Sequence, residues 1–476
     1  MSEQFKKAAK LTITYAFGNF LRRALSIFLL PLYTRYFSVK EFGILALLTI
    51  SFQFASSIVY EPFTSALRRF YYKPEYEEEK NVVVFNLFSA MCIKTLLVTL
   101  LAYFISSHVS RILLGNYEYV SLIRYFCLIL FFTPIASFLY LLMQMEEKAH
   151  LYVVVSVFHF LVSFISIYSA LRVFKLGLIS VPIGASIGYL FVFLLLSYFL
   201  FIRLKARFSF EILKNTLRFS YPLLPFTLSD FLMQYGDRYI IKMINGLREV
   251  GIYSFGYSIS KIINILMVLP VSAGFVPAIN KMEINPEKQK KFVSDSALYI
   301  YSAGVFFVIA FSLFSPEIIS FFGRKKEYIN ALPIIPAVAF SYAQILVGNF
   351  LGIGMSMKMK SFHISGIMVF SAFINIVLNF LLIPFFGILG ASIATLMAYI
   401  IWNVLKIYYS KKFYGLVFNN KMLAFITVTG LFCSYLILFV EKFDFQAGKL
   451  FLKVLILAAY GVLFRRFFLD LLSFFF

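Results

Sequence analysis

The amino-acid sequence predicts an all-α protein that crosses a lipid bilayer many times, and three observations carry that prediction. Of 476 residues, 61% are hydrophobic and only 14% charged, with a mean hydropathy of +0.87. A folded water-soluble chain of this length has no room to hide so much apolar surface. The apolar runs reach twenty residues or more, the length that spans a hydrocarbon core of about 30 Å as helix. Alternating strands of about ten residues, the mark of an outer-membrane barrel, are not what the chain shows. Finally, the net charge of +22 is spread between the apolar runs and not gathered into a basic domain. It reads as a topology determinant and a contact for anionic lipid, and gives no sign of a nucleic-acid partner.

Fourteen segments meet the span criterion, roughly 11–33, 43–66, 82–106, 120–145, 150–171, 178–202, 219–241, 250–278, 296–320, 331–355, 361–383, 387–409, 421–441 and 448–464. The first follows Lys6, Lys7 and Lys10 in the manner of a secretory signal. Arg22-Arg23 interrupts it and no small-residue cleavage site follows, so it is expected to stay as the first transmembrane helix. An even number of spans places both termini on the same side. Counting loop cations puts about twice as many on the side of the N-terminus, which the positive-inside rule makes cytoplasmic.

The chain repeats itself. Lys40-Glu41-Phe42-Gly43-Ile44 matches Arg248-Glu249-Val250-Gly251-Ile252 at an offset of 208, and Pro62 and Pro270 each follow the glycine by 19 residues. Gly184-Ala185-Ser186-Ile187 recurs as Gly390-Ala391-Ser392-Ile393 at an offset of 206. Six helices fit in that interval, so the halves share one orientation, as in the parallel repeats of some transporters. The alternative for the second motif is ordinary small-residue packing between membrane helices. The expected organisation is two pseudo-symmetric six-helix lobes, residues 1–203 and 219–410. A cytoplasmic inter-lobe loop, 204–218, joins them, and 411–476 adds helices 13 and 14 with a tail.

Charges inside the spans are the candidate functional residues, because an unmatched charge at mid-membrane costs several kcal/mol. Arg22 lies 12 residues past Lys10, about 18 Å along a helix. The repeat aligns Arg22 with Asp230, itself 12 residues past Arg218. Arg23, Lys94 and Lys261 also fall deep, which leaves a positive excess suited to an anionic head group, with Arg as a bidentate phosphate ligand and Lys as a point charge. Pairing within the protein, Arg22 or Arg23 with Asp230, is the other reading. Glu61 and Asp230 are the carboxylates placed to couple a proton or sodium ion, although Glu61 is equally suited to pair with Arg68 or Arg69. Asn375 and Asn379, four apart, read as interhelical hydrogen-bonding groups. Pro222, Pro225, Pro270 and Pro277 interrupt helices 7 and 8.

No nucleotide loop, zinc-protease helix, nucleophile elbow or dinucleotide fingerprint occurs. His108, His150, His159 and His363 lack metal spacing, and Cys92, Cys127 and Cys433 stand alone as core fillers. Neither a cofactor nor a metal nor enzymatic activity is expected, so any pumping draws on an ion gradient, the membrane potential or metabolic flux.

Pro31-Leu32-Tyr33-Thr34-Arg35-Tyr36-Phe37-Ser38 followed by Glu41-Phe42-Gly43-Ile44 resembles the opening of bacterial polysaccharide-biosynthesis membrane proteins. These are the O-antigen and exopolysaccharide repeat-unit flippases of the multidrug/oligosaccharidyl-lipid/polysaccharide (MOP) exporter superfamily. Asp237-Arg238-Tyr239-Ile240 with Val250-Gly251-Ile252-Tyr253-Ser254 is similar to their helices 7 and 8. Asn375, Asn379 and Ile383-Pro384-Phe385-Phe386-Gly387-Ile388-Leu389-Gly390-Ala391 resembles helices 11 and 12. The resemblance spans about residues 10–410. It implies fourteen helices in two lobes and alternating-access export of polyprenyl-diphosphate-linked oligosaccharide across the bacterial inner membrane. A cationic central cavity, which Arg22, Arg23, Lys94 and Lys261 could supply, comes with it, as do a polysaccharide polymerase and chain-length machinery as partners. The competing functions are a cation-coupled multidrug exporter, a membrane-embedded glycan polymerase or ligase, and a lipid II or teichoic-acid exporter. The short outer loops argue against the enzyme.

Overall fold

The computed structural model describes residues 3–201, 207–272, 286–443, 445–465 and 467; side chains are described from residue 14 onward, apart from 16, 23, 24, 198–201 and 286. Pro277 therefore lies outside the described residues. Those residues form two compact units, Met1–Phe231 and Leu232–Phe476, and no strand occurs among them.

The first unit opens with α1 (Glu3–Tyr36), which turns into α2 (Val39–Phe70) at a capping box. The Ser38 amide donates to Glu41 Oε2 at 2.7 Å and the Glu41 amide to Ser38 Oγ at 3.2 Å, satisfying two of the donors that a helix start leaves open. There follow α3 (Lys80–Phe104), the short amphipathic α4 (Ser106–Leu114), α5 (Val120–Met145), α6 (Ala149–Arg172) and α7 (Ser180–Phe201). Close approach sets the packing on α6. A Cβ on Gly18 of α1 would lie 2.7 Å from the Tyr152 ring, and one on Gly184 of α7 would lie 2.6 Å from the Ile167 amide nitrogen. Between α2, α3 and α5, a core of Phe63, Leu67, Leu87, Met91, Phe138 and Leu139 is sealed.

The segment expected as an inter-lobe loop holds a helix, α8 (Phe210–Ser220), capped by Ser209 and seated by Ile212 and Thr216. The seventh span is not continuous either. Pro222 falls in a 3-10 turn, Tyr221–Leu223, and α9 (Leu224–Tyr235) breaks at Gly236 before α10 (Asp237–Asn245). Proline brings no N–H to the helix ladder, and Pro222 and Pro225 stand where none is needed, in the 3-10 turn and in the first turn of α9.

In the second unit α11 (Leu247–Ile263) starts at Gly246, whose φ of 88° is easy only for glycine. It runs into a π turn, Asn264–Val268, and stays helical to Ser272. The widened turn lies just ahead of Pro270, whose ring would otherwise press on the carbonyl four residues back. Then come α12 (Pro286–Leu313), α13 (Ser315–Phe322), a 3-10 stretch (Lys326–Ile334), α14 (Ile335–Leu351) and α15 (Ile353–Met357). The long α16 (Ser361–Tyr414), α17 (Asn420–Tyr435), α18 (Ile437–Val440) and α19 (Gln446–Leu463) complete it. α16 is a hairpin of two helices. Gly387, at φ 55° and ψ −135°, is non-helical. Asn375 Nδ2 reaches Thr395 Oγ1 at 3.4 Å, although twenty residues of straight helix would hold them about 30 Å apart.

Among the described residues, 11 helical segments are long and apolar enough to cross a membrane, the α16 hairpin counting once. The chain is an all-α polytopic membrane protein, as the sequence predicts.

Candidate functional site

Arg22 sits in an aromatic nest on α6 and α5. The close approach at Gly18 brings Asn19 under Tyr152, whose hydroxyl donates to Asn19 Oδ1 at 2.6 Å. Arg22 Nη2 donates to the same oxygen at 2.8 Å, and the guanidinium carbon lies 4.2 Å from the centre of the Tyr140 ring and 5.6 Å from that of Tyr152. Tyr140 is fixed in turn by its hydroxyl, 3.3 Å from His159 Nδ1. The rings stabilise the cation through their quadrupoles. They do not satisfy its five donors, and the buried Arg22 Nε has no hydrogen-bond partner among the described residues. Arg23 follows on the helix, with its side chain outside the described residues.

Lys94 and Glu61 meet the same stretch of α2. Pro62 has no N–H, which orphans the carbonyl of Ile58 one turn back. Lys94 Nζ donates to that carbonyl at 2.9 Å, with the Phe63 and Tyr221 rings 5.7 and 5.3 Å away. Among the described residues this is the one hydrogen bond that its three donors make. Glu61 is half-buried near the charge of Arg68, and Thr64 Oγ1 donates to the backbone carbonyls of Tyr60 and Glu61, each at 3.2 Å. Asp230, on α9, is half-buried and engaged. Its neighbour Phe231 stacks on Phe54 of α2 at 4.7 Å. Arg22, Lys94, Glu61 and Asp230 all belong to the first unit, each with surroundings of its own. Lys261 belongs to the second unit, in the last turn of α11 just ahead of the π turn, half-buried and with no hydrogen bond or ion pair among the described residues.

The second unit holds a polar network that sequence reasoning did not assemble. Asp237 and Arg238 are both buried, with Arg238 Nη1 at 2.8 Å from Asp237 Oδ1 and 3.0 Å from the Gln234 carbonyl. Tyr253 donates a short hydrogen bond to Asp237 Oδ2, and Thr395 Oγ1 lies 3.5 Å from the same oxygen. Thr395 accepts from Asn375, which accepts from Asn379 at 3.1 Å. The guanidinium rests 4.2 Å from the Tyr257 ring centre. Adjacent opposite charges in a helix were the available signal. Their partners lie 16 and 158 residues along the chain, and both are neutral. Among the described residues no three His, Cys, Asp or Glu side chains gather to hold a metal.

Comparison with known proteins gives the family and the fold. Residues 8–283, more than half of the chain, match the family described as polysaccharide biosynthesis protein. Two uncharacterised membrane proteins of Methanocaldococcus jannaschii are similar in sequence. One is 24% identical over 273 residues, covering 55% of this chain and 53% of the relative; the other is 30% identical over 242 residues, covering 47% and 55%. The chain thus spans about half the length of these curated relatives. Among solved structures, the lipid II flippase MurJ in an inward closed conformation aligns with a TM-score of 0.75 at 16% identity, over 95% of this chain and 99% of that one. Inward- and outward-facing structures of a multidrug resistance MATE family transporter of the MOP superfamily align at 0.58 and 0.60, both at 14% identity. They cover 87% and 86% of this chain and 95% and 96% of theirs. These likenesses establish the fold, and with the match over residues 8–283 the chain belongs to the polysaccharide biosynthesis protein family, in the MOP-superfamily fold.

Proposed function

We propose that this protein flips polyprenyl-diphosphate-linked oligosaccharide from the cytoplasmic to the outer leaflet of the cell membrane, feeding O-antigen, capsule or exopolysaccharide synthesis. The observation that carries the reading is Arg22: a guanidinium on α1, stacked on tyrosine, hydrogen-bonded to a neutral amide, with Nε unsatisfied among the described residues. A buried cation of that kind is completed by an anionic oxygen, and a diphosphate offers several. Arg23, Lys94 and Lys261 add positive charge for the same head group, while Glu61 or Asp230 couples an ion. The polyprenyl tail stays in lipid. Transport proceeds by alternating access without ATP, with both termini cytoplasmic. The closer likeness to a lipid flippase than to the multidrug exporters supports a lipid-linked cargo.

In proteoliposomes, the wild-type protein is expected to translocate fluorescent lipid-linked oligosaccharide without nucleotide. Arg22→Ala and Lys261→Ala should each lower the rate at least about tenfold, the loss of roughly one charge-assisted hydrogen bond, with the protein still folded. Undiminished flipping in both variants removes the cationic site. Translocation of cationic drugs in place of the lipid would make the protein a multidrug exporter, and glycan polymer growth would make it an enzyme.

A further inference from the structure

We propose that the groove between the two arms of the α16 hairpin is a binding site for a resident anionic phospholipid of the cytoplasmic leaflet. The groove has a volume of about 440 Å³, within the range of clefts that hold small ligands. It has two chemically different ends. Ile367, Phe370 and Leu405 give it an apolar wall; His363 and Tyr409 give it a polar mouth. The mouth is an aromatic platform, with the His363 ring 5.4 Å from Tyr409 and 4.7 Å from Phe413. Such rings favour the membrane–water boundary.

Charge supplies the rest. Lys358, Lys360, Lys411 and Lys412 are exposed around this end of the hairpin, and from Lys358 to Tyr414 the chain carries neither Asp nor Glu. Lys360 Nζ lies 5.3 Å from the Phe413 ring centre, and Lys358 Nζ 5.8 Å from that of Tyr414. The N-terminus of α16 at Ser361 adds its open amides and dipole on the same side. A phosphate suits the mouth and an acyl chain the wall. A free anion would leave the apolar wall uncovered, and a neutral lipid would leave the lysines unmatched. The groove opens sideways, with Phe362 and Phe370 exposed at 87% and 49%, and it lies within one hairpin. A bilayer lipid with two chains and no glycan has access there directly. The cluster of lysines marks the cytoplasmic end.

Gly366 gives a clean test. A Cβ at this position would meet nothing within 4 Å, so a larger side chain enters the groove without displacing protein. The full chain is exchanged into nanodiscs of equal phosphatidylglycerol and phosphatidylcholine, extracted, and read by native mass spectrometry. Wild type is expected to retain phosphatidylglycerol about tenfold over phosphatidylcholine, the scale of one or two lysine–lipid attractions. Gly366→Leu should remove that retention while Gly366→Ala keeps it, and Lys358→Gln with Lys360→Gln should equalise the two lipids. The proposal is overturned if Gly366→Leu retains phosphatidylglycerol like wild type. It is equally overturned if glycerol phosphate alone raises the melting temperature as much as the lipid does, or if undecaprenyl phosphate is retained and phosphatidylglycerol is not. None of these readouts depends on transport.

Discussion

The two units answer the same sequence mark in different ways. Pro62 and Pro270 sit at equivalent places in the repeat, each 19 residues beyond a glycine near the start of its helix. In the first unit α2 stays α-helical, and the carbonyl that Pro62 orphans is capped by Lys94 from another helix. In the second, the helix widens into the π turn at Asn264–Val268 before Pro270. The same divergence appears in the cores. Asp237, Arg238 and Tyr253 form a buried polar cluster, whereas the residues 208 earlier are Leu29, Leu30 and Leu45, all buried. A fold that closes with three leucines on one side does not need an ion pair on the other for stability, since well-packed apolar groups usually do as well. The difference teaches that equivalent positions of one repeat can be filled by apolar packing in one unit and by a hydrogen-bonded charge pair in the other.

The largest effect expected is from Asp237→Ala. It leaves Arg238, 3% exposed, buried without its counter-ion, at a cost of about 3–5 kcal/mol. Thermal unfolding in detergent should show a large drop in melting temperature, and an unchanged value would mean that the pair contributes nothing. Next, Asp237→Leu with Arg238→Leu copies the first unit's apolar solution. Stability should return to within about 2 kcal/mol of wild type, and loss of flipping in a stable double variant would place the network in the transport cycle. A smaller effect separates the two lysines. Lys94→Met should cost about 1–2 kcal/mol by freeing the Ile58 carbonyl, while Lys261→Met, with no carbonyl to cap among the described residues, should change the melting temperature little. Equal losses would contradict the capping role of Lys94.

Much of the fold was legible because a bilayer permits little besides helices, and their length is set by its thickness. At Gly184 and Gly390 the structure shows the close helix packing that was the alternative reading of that motif, against Ile167 in one unit and Leu382 in the other. The break of the seventh span was signalled by Pro222 and Pro225, but a hydropathy window averages over such breaks. The site was less legible. Arg22 stood out by its depth, yet its surroundings, Asn19, Tyr140 and Tyr152, are ordinary in sequence and become a cation nest only through packing. The capping role of Lys94 was in principle readable from the missing N–H of Pro62. Nothing in the sequence, however, says which side chain reaches Ile58.

The single-residue bend at Gly387 has a consequence for how the protein is made. Phe385 and Phe386, beside the bend, are exposed at 82% and 57%, so the turn itself is greasy and no polar segment separates the two arms. A translocation channel releasing this stretch meets no hydrophilic loop to push through between them. A tight apolar turn of this kind lets two arms enter a bilayer as one unit, so a charged linker inserted after Gly387 is expected to lower membrane integration, read by glycosylation mapping of the two arms.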